Sequence, residues 1–251
     1  MPEWMWAGIW GTIAGSALLA GAAAGVLIAF GKKTIAYIMA FGSGVLISAL
    51  SFDLMAGAYS RGGFDSTSLG FLAGAVIYSI ANWMLARKGA RQRKRSGGQQ
   101  PSENEQPGSG MAIAVGALLD GIPESMVIGL SLLGGGSVSM VAVIAIFISN
   151  IPEGLSSSAG MKKAHRSRAY IFGLWTGITI ISGIASVIGY AAFRGLSGDV
   201  IAAITALAAG AMLAMLADTM IPEAFDDARD WAGLITVAGF LVAFILTKLG
   251  A

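Results

Sequence analysis

The chain has 251 residues, of which 55% are hydrophobic and 12% charged, with a formal net charge of +2 and a mean hydropathy of +0.74. A soluble domain of this length could not keep so much apolar surface covered, so the composition excludes that class and points to an integral membrane protein. Cysteine is absent, which excludes disulfides, thiolate-ligated zinc and iron–sulfur clusters.

In chain order, windows of about twenty apolar residues, the length that crosses a bilayer core, fall near residues 4–30, 34–60, 66–86, 111–133, 138–161, 168–193, 199–224 and 231–250. The expected fold class is all-α: a polytopic membrane protein of eight transmembrane helices, forming one integral membrane domain. The N-terminal MPEWMWAGIW lacks a basic n-region and a small-residue cleavage site, so it reads as the first span. Spans one to three occupy residues 1–86 and spans four to eight residues 111–251. Between them, residues 87–110 carry a charge run and Gly, Pro, Ser and Gln, a composition that cannot bury a core; a flexible basic loop is expected there. Between spans, this run reads as a cytoplasmic loop, and no nucleic acid is expected as a partner.

Assigning the connections alternately to two sides collects Lys32, Lys33, the six basic residues from Arg87 to Arg95, Lys162, Lys163, Arg166, Arg168 and Arg229 on one side. Arg61, Arg194 and Lys248 face the other. This asymmetry orients the basic loops to the cytoplasm and both termini outside. Small residues at close spacing in GSALLAGAAAG and ALAAGAMLA read as helix-packing faces, and the Gly-rich LLGGGS after span four as a short external turn.

The informative residues are acids inside apolar spans. Asp53, Asp120, Glu124, Glu153 and Asp218 lie at membrane depth and Glu223 near a cytoplasmic end, whereas no lysine, arginine or histidine falls in the centre of a span. The one histidine, His165, sits in a basic loop. A charged carboxylate at a helix centre costs about 2.5–3.5 kcal/mol, so neutralisation is expected by protons or by metal cations. The bland alternative is a protonated acid hydrogen-bonded to a neighbouring helix.

Asp120 and Glu124 are one helical turn apart, as are Ser149 and Glu153, with Asn150 three before Glu153. Facing helices could therefore bring these oxygens to one point. Pro123 and Pro152 each precede a glutamate, and a proline there removes a helix hydrogen bond and frees the carbonyls of Leu119 and Ile148. Both prolines are expected to interrupt their helices next to a cavity. The triplet Ile-Pro-Glu recurs at 122, 151 and 221, and Asp-x-Met recurs at 53–55 and 218–220.

At DGIPES and SNIPEG the sequence resembles the ZIP family of divalent-metal transporters in its compact bacterial form. The resemblance extends to eight spans, outside termini and a basic loop between spans three and four. It implies an inverted-repeat bundle and places Asp120 where the family carries a liganding histidine, Gly121 where it carries asparagine, and Glu124 and Glu153 at liganding glutamates. Ser149 and Asn150 stand where histidine or glutamine and an acidic or amide residue are usual. With no imidazole, the expected site is all oxygen and favours harder ions, and span six offers no acid for a second ion.

The expectation is therefore a metal site of Asp120, Glu124, Ser149, Asn150 and Glu153, with Asp53, Asp218 and Glu223 on the access paths. No enzyme signature appears. The expected activity is uptake of a divalent cation, zinc, manganese, iron, cadmium or cobalt, as transported substrate and not as a resident cofactor. The expected setting is multi-pass in a bacterial inner membrane, with the lipid bilayer as partner and a homodimer left open. A proton-coupled or channel-like permease for another solute, and a non-transporting relative that has lost ligands, remain as alternatives.

Overall fold

The computed structural model describes residues 1–134 and 137–249. Among these the secondary structure is helical, as apolar solvent demands: with no water to satisfy it, each peptide group must bond within its own segment. In order the helices are α1 (Glu3–Leu27), α2 (Lys32–Ala49), α3 (Ala56–Leu85), α4 (Ser109–Ser131), α5 (Met140–Lys163), α6 (Arg168–Ala191), α7 (Gly198–Met215), α8 (Ile221–Ala228) and α9 (Ala232–Leu249). Ser139 and Ser167 cap α5 and α6, their hydroxyls accepting from the N–H groups of Ala142 and Tyr170.

Among the described residues, seven helical runs are long and apolar enough to cross a membrane. The expected second and third spans lie within one of them, Lys32–Ala90, 59 residues long. A straight helix of that length would reach about 90 Å, three times the hydrocarbon thickness. Gly63 interrupts it at φ 70° and ψ −167°, a conformation open only to glycine at low cost. Of the turn expected at LLGGGS, Gly135 and Gly136 lie outside the described residues.

The helices associate in two groups. α1, α4, α5 and α6 pack chiefly on one another, while α2 packs on α9 and α8 and α3 on α7, and α2 also packs on α5 across the two groups. Close approach depends on reciprocal glycines. A Cβ added at Gly21 would stand 2.1 Å from the Ile151 carbonyl oxygen, and one at Gly154 2.1 Å from that of Leu18, so α1 and α5 meet backbone to backbone. The same device joins α2 to α9 through Gly44 and Gly239, α3 to α7 through Gly74 and Gly210, and α4 to α6 through Gly129 and Gly189.

Two expectations about local backbone fail. Pro123 and Pro152 sit inside unbroken α4 and α5, so neither breaks its helix. The irregular turns lie elsewhere: π-helical turns span Leu50–Met55, Ala86–Ala90 and Leu216–Met220, and the first and last contain Asp53 and Asp218. The repeated Asp-x-Met thus marks a repeated backbone feature, and π-turns concentrate where helices carry function.

The α3–α4 connection is also not a free linker. Ala90, Arg93, Lys94, Ser96 and Gln100 are buried, and residues 91–94 form a turn that enters the bundle. Backbone and side-chain bonds hold it there. Gln100 Nε2 donates to the carbonyls of Arg93, Arg95 and Ser157 at 2.9–3.0 Å, Ser156 Oγ donates to that of Lys94 at 2.6 Å, and Lys163 Nζ to that of Ser96 at 2.7 Å.

Candidate functional site

α4 and α5 place Asp120, Glu124 and Glu153 in the interior, with relative exposures of 1%, 2% and 3%. The chain does supply a counter-charge, which corrects the expectation that protons or metal must do so. Arg93 Nε donates to Asp120 Oδ2 at 2.8 Å and Nη2 to Oδ1 at 2.7 Å, a two-pronged pairing. Tyr78 Oη donates to the same Oδ1 at 2.7 Å while accepting from Arg93 Nη2 at 2.8 Å. Arg93 Nη1 donates to Asn82 Oδ1 at 2.8 Å, and Asn82 Nδ2 to Asp218 Oδ2 at 3.0 Å. A continuous polar chain therefore runs from Asp120 to Asp218.

Lys94 is held differently. Its ammonium stands 2.8 Å from Glu153 Oε2 and 3.3 Å from Asp120 Oδ2. It lies between two carboxylates, at ion-pair distance from each. Glu124 Oε1 and Asn150 Oδ1 are buried with no hydrogen-bond partner among the described residues. Two cations thus balance Asp120 and Glu153, while Glu124 presents an acceptor without a donor, a costly arrangement in an apolar interior.

The expected five-residue metal site is brought together only in part. Ser149 Oγ donates to the Ile146 carbonyl at 2.9 Å, and Asn150 Nδ2 reaches across to that of Ala14 on α1 at 3.0 Å. Asn150 thereby ties α5 to α1 with its donor half. Among the described residues no three His, Asp or Glu side chains form a group placed to hold a metal ion.

The acids expected on access paths fall at separate cavities. Asp53 accepts from Ser139 Oγ at 2.9 Å and lines a cavity of about 300 Å³ with Gly57, Arg61, Ser131 and Thr205, beside the C-terminal end of α4. Asp218 lines two others, one of about 520 Å³ with Asn82, Arg87 and Arg91, and one of about 370 Å³ with Arg91, Lys94, Arg95 and Thr219. Glu223 is not open to a path: it is buried and accepts from the Ser96 N–H and hydroxyl and from Ser156 Oγ, with Arg95 beside it. It pins the α3–α4 segment in place.

Reading span by span missed Arg93, Lys94, Tyr78 and Asn82. A signal was present, since Tyr78 and Asn82 lie four apart on α3 and a run of basic residues immediately precedes the acid-bearing α4. The fold and site define a polytopic helical membrane bundle with an ionic centre. No family model and no curated protein matches the chain.

Proposed function

We propose that the chain is a carrier for a divalent cation, moved past Glu124 and Glu153 as α1, α4, α5 and α6 rock against the remaining helices. The observation that carries this reading is the Lys94 ammonium between Glu153 and Asp120: the carboxylates belong to the spans, whereas the positive charge between them arrives on a connecting segment. The centre is built to hold a cation among oxygens, and hard divalent ions such as Mn²⁺ suit that donor set. The flanking cavities at Asp53 and Asp218 support alternating access. Dividing the 59-residue run at Gly63 gives eight crossings, with the basic loops cytoplasmic and the termini outside.

The test is uptake of Mn²⁺, Zn²⁺, Cd²⁺, Fe²⁺ or Co²⁺ by vesicles containing the purified protein. Uptake above empty vesicles that falls at least about ten-fold in Glu124→Ala and Glu153→Ala is expected. No uptake of any of these ions rejects the reading. A second reading is favoured by the Arg93–Asp120–Tyr78 bonds, which leave Asp120 well satisfied: a non-transporting bundle in which the ionic centre is structural.

A further inference from the structure

The two basic residues of the ionic centre are bound by unlike means, and the difference assigns them separate roles. Arg93 is 1% exposed and makes directional bonds to Asp120, Tyr78, Asn82 and the Ala90 carbonyl. Its planar fork matches a carboxylate, and removing it would orphan several buried groups. Lys94 meets Glu153 and Asp120 through a single freely rotating ammonium on a flexible four-carbon stem. Glu124 Oε1, fully buried, has no donor among the described residues.

Lys94 also lines the cavity of about 370 Å³ shared with Arg91, Gln92, Arg95, Asp218, Thr219 and Pro222. Asp218 in that cavity spends Oδ2 on Asn82 and is otherwise exposed. Asp218 thus offers a second, more exposed carboxylate in a cavity that the Lys94 side chain borders, one toward which a turn of that side chain could carry the ammonium while Arg93 keeps the backbone anchored.

We propose, resting on the carrier reading, that Lys94 is a tethered competitor for the transported ion. The ion binds on Glu124 and Glu153, Lys94 yields its place and swings into the Asp218 cavity, and Asp120 stays with Arg93 as an anchor and does not become a ligand. One positive charge leaves as two arrive, so Glu124, unmatched at rest, gains its counter-charge when the ion binds. A divalent cation is favoured over a monovalent one, because only the former exceeds the charge it displaces.

The experiment uses the full chain purified in detergent, with Mn²⁺ as probe. Acylation of Lys94 by a water-soluble N-hydroxysuccinimide ester, located by mass spectrometry, is expected to be slow without Mn²⁺ and to rise at least about ten-fold at saturation, as a two-position equilibrium driven by ligand requires. In parallel, calorimetry on Lys94→Met should show Mn²⁺ binding tightened about ten-fold or more, since the competing charge is gone. The wild-type acylation decides the matter should that variant fold poorly. Mn²⁺ binding with Lys94 still unreactive overturns the competitor while leaving the carrier intact. An absence of Mn²⁺ binding in both proteins overturns the two together.

Discussion

Arg93 and Asp120 form a buried two-pronged ion pair, Nε to Oδ2 at 2.8 Å and Nη2 to Oδ1 at 2.7 Å, across the junction between the α3–α4 connection and α4. Breaking it from one side strands a charge in an apolar interior, which costs about 3–5 kcal/mol, whereas replacing both partners by apolar groups is far milder. Arg93→Met and Asp120→Leu should each lower thermal stability strongly, and the double variant should recover more than half of either loss. Additive losses in thermal unfolding would show that the pair carries no coupling.

Glu223 holds Ser96 by two bonds and Ser156 by one. Glu223→Ala should release the Ser96 amide and cost about 2 kcal/mol locally, so hydrogen exchange there should accelerate about thirty-fold. Glu223→Gln keeps an acceptor and should show a smaller effect. Unchanged exchange in Glu223→Ala would mean that Gln100, Ser156 and Lys163 suffice to hold the segment.

The reciprocal glycines predict a sharp contrast along the chain. A Cβ at Gly74 or Gly129 would lie 1.9 Å from a carbonyl oxygen of the neighbouring helix, whereas one at Gly173 or Gly177 meets nothing within 4 Å. Gly74→Ala and Gly129→Ala should destabilise by about 1–3 kcal/mol through forced helix separation. Gly177→Ala should be neutral or stabilising by up to about 1 kcal/mol, because alanine is the better helix former. Melting curves in one detergent compare them directly.

Outside the spans, the Arg166 guanidinium, helped by the Gly108 and Gly110 N–H groups, holds the Glu103 carboxyl down at about 2 from its ordinary 4.5. A depressed carboxylate contributes above its ordinary value, and that contribution fades as pH falls from about 4.5 toward about 2. The melting temperatures of wild type and Glu103→Gln should therefore differ at neutral pH and converge over that window. Because Glu103 is exposed the difference is small, and a gap independent of pH would contradict the assignment.

The sequence by itself determined the class of molecule and the acids that matter. Apolar windows located the helices, because hydrocarbon thickness imposes a fixed length. Asp120, Glu124 and Glu153 stood out because carboxylates are expensive inside spans, whereas the irregular turns at the two Asp-x-Met repeats, expected instead at Pro123 and Pro152, were set by the fold. What neutralises the acids was decided only by tertiary structure. Residues 87–110 have no periodic apolar face, and composition alone reads them as solvated. Their entry into the bundle depends on partners distant in sequence, Ser156, Ser157 and Glu223. Long-range bonds of that kind leave no local pattern, so Arg93 and Lys94 looked like loop charges until the fold carried them to Asp120 and Glu153.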